Sequence, residues 1–78
     1  MKKILYFSAP WCGPCRTLGP IMDALSSTIN VEKINVDNDQ SQSAKYRVRN
    51  IPTLILVENG VEKDRIIGLK SQEDILNF

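Results

Sequence analysis

APWCGPCR, residues 9–16, carries the only two cysteines of the chain, Cys12 and Cys15, with Gly13 and Pro14 between them and Trp11 in front. Three readings compete for such a pair: a staple, half of a metal site, or a redox catalyst. As a staple it is poor, because a bond that closes so short a loop removes little entropy from the unfolded chain. A structural zinc site needs about four ligands, usually two CxxC pairs or one CxxC with two histidines. This chain has Cys 2 and His 0, and no carboxylate spacing completes a set, so no metal is assigned. The redox reading remains, and it requires particular structure on either side of the pair.

Upstream, KKILYFSA is a short apolar run rich in aromatic and branched residues, closed by a turn signal. It reads as a strand over Lys3–Ser8, buried on both faces. Downstream, Pro14 suits a first helical turn, where a missing N–H costs nothing. Leu18, Ile21, Met22, Leu25 and Ile29 then recur at helical spacing, predicting a helix from Gly13 to Thr28 with a kink at Pro20. The cysteines therefore lie where a strand ends and a helix begins. There, unpaired backbone N–H groups and the positive end of the helix dipole favour a thiolate. Cys12 is the nucleophile on this reading. Cys15, one turn on and expected to be more buried, is the resolving thiol. Neither Gly13 nor Pro14 is cationic, so the thiolate gains nothing from them. A reductant is expected, with a potential on the order of −250 to −280 mV.

The remaining chain alternates elements. VEKINVD gives a strand over Val31–Val36, with Ile34 and Val36 on one side and Val31 and Lys33 on the other. Asn38 and Asp39 are caps for a short helix through Tyr46 and Val48. Pro52 then bars helix. TLILVENGVEKDRIIG reads as a hairpin, strands Thr53–Val57 and Val61–Ile67 about an Asn59–Gly60 turn. Ser71 with Asp74 resembles a capping box before a last helix carrying Ile75, Leu76 and Phe78. The order is βαβαββα. A right-handed crossover makes the first two strands parallel, and the hairpin adds two antiparallel strands. The class is α/β: one domain, residues 1–78, a mixed four-stranded sheet in the order second, first, third, fourth strand, with helices on both faces.

Length and charge narrow the function. A chain of 78 residues buries only roughly 60% of its unfolded surface, so its core must be efficient. Both charge signs are spread along it, with a net charge of +1. The densest basic stretch, KYRVRN at 45–50, reads as a solvated helix end, so nucleic acid is not a partner. Lys2 and Lys3 before Ile4–Phe7 mimic a signal peptide faintly, but the apolar run is short and no cleavage site follows. No run is long enough to cross a bilayer. The expected location is cytoplasmic, where paired thiols are catalytic or metal-binding more often than structural.

WCGPC at 11–15 resembles the active-site signature of the thioredoxin family. The likeness extends over nearly the whole chain. Pro20 stands where that family has its helix proline, INVDND resembles its next core strand, and YRVRNIPTLILVENG resembles the segment with its cis-proline. GLKSQEDI resembles its last glycine and C-terminal helix. The resemblance implies a thioredoxin-like fold and a protein-disulfide reductase working through a redox-active Cys12–Cys15 disulfide, with no separate cofactor. It also implies a cis Pro52 facing the pair, with Ile51 offering backbone groups to an extended substrate. Trp11 and Gly68 would flank the docking surface, with Gly13 and Pro14 supporting the pair. Trp11 also fits a partly buried core aromatic, and Gly68 a plain strand end. The implied partners are disulfide-containing proteins and an electron donor that is either a thioredoxin-reductase-like enzyme or linked to glutathione. The protein is expected to be a monomer.

Two departures stand out. The family's usual N-terminal strand and helix have no counterpart here, which gives a glutaredoxin-sized architecture. Tyr6 occupies the position six residues before Cys12, where most members have a buried Asp. Lys33 matches a family lysine near that Asp; here it reads as a surface charge or as a participant in proton transfer. Two other functions fit parts of the pattern. A glutaredoxin-like enzyme suits the size, although such proteins resemble CPYC more than CGPC, and Arg16 is the only cation adjacent to the pair. A thioredoxin-fold binding subunit would not need the thiols.

Overall fold

The computed structural model describes residues 2–68 and 71–76. In chain order the elements are β1 (Lys2–Ser8), α1 (Gly13–Leu25), β2 (Val31–Asn35), α2 (Gln40–Lys45), β3 (Thr53–Glu58), β4 (Val61–Ile67) and α3 (Gln72–Leu76). The sheet runs β2-β1-β3-β4. β1 pairs parallel with β2, while β1–β3 and β3–β4 are antiparallel. This is the expected order, and it places β1 in the middle with its C-terminal end feeding directly into the cysteine loop.

Alternation along β1 divides the core. Ile4 and Tyr6 face one side, where Leu18, Met22 and Leu25 of α1, Leu54 of β3 and Ile75 of α3 pack together. Leu5 and Phe7 face the other, with Ile34, Ile55 and Val57. Tyr46 and Val48 cover that second side, the Tyr46 ring meeting Phe7 edge-on at 6.2 Å between centroids. α2 itself contributes no buried residue. The cover is therefore thin, and a groove of about 550 Å³ opens over Leu5, Val57 and Tyr46. It lies at the end of the sheet where β1 begins, away from the cysteines.

β1 starts one residue earlier than expected, at Lys2, and β3 runs one residue further, to Glu58; three other element ends differ from the sequence expectations for local reasons. α1 stops at Leu25 rather than Thr28. The hydroxyls of Ser26, Ser27 and Thr28 donate back to the carbonyls of Asp23, Ala24 and Leu25, giving the backbone an alternative to the helical ladder. α2 stops at Lys45 rather than running through Tyr46 and Val48. Arg47 takes a φ of 55°, and the Val48 N–H reaches back to the Ser43 carbonyl at 2.8 Å, a Schellman-type end built without glycine. Of the two expected caps only Asp39 serves, accepting from the Gln42 N–H at 3.2 Å. β2 ends at Asn35, whose carbonyl accepts from the N–H groups of Asn38 and Asp39. α1 continues through Pro20 as one helix.

The hairpin forms as expected. Asn59 and Gly60 both have positive φ, 55° and 82°, the pairing a tight turn between right-twisted strands requires. In α3, Ser71 Oγ accepts from the Asp74 N–H at 3.2 Å. Ile75 is buried, Leu76 is exposed, and Phe78 lies outside the described residues.

Candidate active site

Cys12 is the N-cap of α1, in extended conformation, and Pro14 lies in the first turn. The Cys12 N–H donates to the Ala9 carbonyl at 3.1 Å, which holds the loop closed before the helix starts. Cys12 and Cys15 are joined as a disulfide with Cα atoms 5.2 Å apart. The Cys15 N–H donates to Cys12 Sγ at 3.2 Å. That bond is a helix-cap interaction with sulfur as the acceptor, and it strengthens when the sulfur is a thiolate. Gly13 has open space around the position a side chain would take, so the surface above the pair stays clear.

The two cysteines are buried alike, 6% and 5% exposed, which corrects the expectation of a more buried Cys15. Bonded sulfurs share one cover: Ala9 packs with both cysteines, and Val36 and Ile51 close over them. The asymmetry between the thiols therefore comes from position on the helix, cap against first turn, and not from depth.

The segments that the resemblance singled out converge on this spot. The Ile51–Pro52 peptide is cis, Pro52 is buried, and Ile51 lies against the cysteine cluster. The Pro52 carbonyl accepts from the Gly68 N–H at 2.9 Å, which ties the end of β4 to the start of β3. Gly68 has φ 95°. Gly68→Ala is expected to cost about 1–2 kcal/mol in a urea titration, from backbone conformation alone, since its methyl would meet nothing within 4 Å. Trp11 is 67% exposed, so the core-aromatic reading fails. Its Nε1–H donates to Asp37 Oδ2 at 3.0 Å, pinning the ring beside the loop.

That contact and three others were not visible in the sequence. Arg16, next to the pair in the sequence, folds its guanidinium onto the Pro10 carbonyl through Nε and Nη2, at 3.3 and 3.2 Å. Lys33 forms an ion pair with Asp23 of α1, both half-exposed; this is the surface-charge reading. The Tyr6 hydroxyl donates to the Cys15 carbonyl at 3.0 Å. Asp37 and Trp11 are 26 residues apart, and no local pattern links them.

A disulfide at a helix N-terminus, at the end of a central strand and under a small apolar collar, defines a thiol–disulfide oxidoreductase. The thioredoxin family model matches residues 1–78. The thioredoxin of Chlamydia caviae is 38% identical over 96% of this chain and 76% of its own length. That of Rickettsia typhi is 40% identical over 100% of this chain and 78% of its own length. Among solved structures, a single-site mutant of the thioredoxin from Halobacterium salinarum superposes with a TM-score of 0.91 at 33% identity, covering 97% of this chain and 69% of that one. Fasciola hepatica thioredoxin gives 0.90 at 32% identity, covering 97% of this chain and 75% of that one. The chain belongs to the thioredoxin family, and it is a thioredoxin-type protein-disulfide reductase that exchanges electrons with protein disulfides through its cysteine pair.

Proposed function

We propose that the protein is a cytoplasmic, monomeric electron carrier recharged by a thioredoxin-reductase-like enzyme rather than by glutathione, with no bound cofactor. In this reading the Cys12 thiolate attacks a sulfur of the target disulfide. The target S–S bond breaks, and a mixed disulfide on Cys12 forms as the released target thiolate takes up a proton. Cys15 loses its proton and attacks Cys12 Sγ, and the second target thiolate leaves. The target gains two electrons and two protons, and the Cys12–Cys15 disulfide is restored for reduction by the donor. Trp11, Ile51 and Gly68 form the docking surface, with the buried cis Pro52 setting the backbone beneath it. Ile51 offers its backbone to an extended target segment as an added strand would use it. Gly13 and Pro14 support the pair.

The observation that carries the choice of donor is Arg16. A glutathione site needs a cation free to meet glutathione carboxylates, and Arg16, the cation beside the pair in the sequence, is already bonded to the Pro10 carbonyl. Among the described residues no helix is long and apolar enough to cross a membrane, which fits work in an aqueous compartment. The test uses one protein disulfide as acceptor and two donor systems. With NADPH and a bacterial thioredoxin reductase, turnover is expected at least about tenfold faster than with glutathione, the poise of a thioredoxin-like couple lying below that of glutaredoxins. Faster turnover with glutathione would sink the donor assignment.

A further inference from the structure

Tyr6 is a buried polar side chain that the thiol chemistry above does not use. It is 3% exposed, within the cluster that packs α1 on the sheet, and its hydroxyl is spent on the main chain of a reacting residue. The helix needs help at that point. Pro20 has no N–H, so the carbonyl of Arg16 lacks its donor four residues on, and the ladder misses a rung immediately after Cys15. The short helical segment carrying both cysteines is thereby joined less firmly to the rest of α1. Tyr6 ties it instead to β1, an inner strand of the sheet. Burial pushes the Tyr6 phenol above its ordinary range, while Ser8 of β1 and Lys33 of β2 lower it and Asp23 of α1 raises it. The net rise keeps the hydroxyl a donor at neutral pH.

We propose that Tyr6 is a positioning residue for the resolving step, holding the Cys15 backbone within reach of Cys12 Sγ once the bond between the cysteines has opened. This rests on the dithiol–disulfide reading. In the mixed disulfide no covalent bond fixes Cys15 to its neighbour. Cys15 gives its proton to water and its thiolate attacks Cys12 Sγ. The Cys12–target bond breaks, and the electron pair leaves on the target sulfur. The rate depends on how often Cys15 Sγ sits in line behind that bond, so an anchored backbone raises it. Cys12 attacks from the N-cap and depends on the anchor only through the bond it accepts from the Cys15 N–H.

The two steps separate with a nitrobenzoate aryl disulfide whose released thiolate is coloured, mixed with the reduced full chain in a stopped-flow instrument. Attack by Cys12 releases the first coloured thiolate and resolution by Cys15 the second. Tyr6→Phe keeps the ring and removes the hydroxyl. The first phase should change by less than about twofold and the second slow about fivefold, the worth of one neutral hydrogen bond. The ratio of dithiol to disulfide at fixed glutathione poise should rise by the same factor, about 21 mV at 29.6 mV per tenfold. An unchanged second phase would overturn the proposal. So would equal slowing of both phases with the melting temperatures of both redox forms falling together, which a merely structural hydroxyl would give. Absence of any release from the unsubstituted protein would overturn the reductase reading itself, and this proposal with it.

Discussion

Cys12→Ser abolishes reduction of a protein disulfide, by a factor on the order of 10³ or more, while the far-ultraviolet circular dichroism stays that of the parent. The hydroxyl of serine does not ionise near neutral pH, so the activation supplied by the helix terminus has nothing to act on. Cys15→Ser has a different outcome. Attack by Cys12 survives, and a mixed disulfide with the target accumulates, visible as a species on a non-reducing gel that dithiothreitol dissolves. The pair of results separates the roles of two cysteines that burial does not distinguish, at 6% and 5%. If Cys12→Ser retained turnover while Cys15→Ser lost it without trapping target, the roles would be reversed. If the unsubstituted protein reduced no target and both variants still bound their partner as it does, the protein would be a binding module carrying an idle disulfide.

The second large effect is on stability. Leu54 lies on β3, between β1 and β4, with none of its surface exposed. Its neighbours include Ile4, Tyr6, Leu18 and Met22, drawn from both the strand before the cysteines and the helix after them. Leu54→Ala removes three carbons and leaves a cavity that a sheet interior closes poorly, costing about 3 kcal/mol. A domain of this length holds only about 4–12 kcal/mol in all. The melting temperature should fall by roughly 12–24 °C, and the urea midpoint should drop with an unchanged slope. Ile67→Ala is the control: Ile67 is 53% exposed, and its truncation should stay within about 0.5 kcal/mol. Equal effects at the two positions would mean that the core is not where the packing places it.

The order of elements and of strands was legible because each rests on a local pattern. The apolar run of β1, the helical spacing of Leu18, Met22 and Leu25, the alternation about Ile34 and the Asn59–Gly60 turn each specify one element, and crossover handedness leaves little choice in joining them. The cysteine pair was legible for the same reason, since its chemistry depends on residues within one turn. Pro52 and Ile51 were legible only through resemblance: a proline bars helix in any sequence, and its isomer is set by packing. What stayed hidden depends on distant partners or on backbone detail. A serine-rich stretch reads equally as helix or as turn until its hydroxyls are seen bonding back to Asp23 and Ala24. An arginine at φ 55° carries no signature. Tyr6 was noticed as a missing carboxylate, whereas its role as a donor to Cys15 needs the strand and the helix placed face to face.

The open side of β2 has a consequence for how the protein behaves when concentrated. Ile4 donates to the Asn30 carbonyl and Val36 donates to that of Ser8, so alternate residues of β2 turn their backbone groups to β1. Those of Val31 and Lys33 point away from the sheet. An unpaired strand edge is a template for fibril growth. Here the template is five residues long, its Asn35 carbonyl is already taken by the following turn, and Glu32 and Lys33 are held in place by ion pairs to Lys3 and Asp23. A strand arriving from another molecule would have to bring its own charges beside these and would find few positions to zip. Short and charged, this edge is a poor template for such growth.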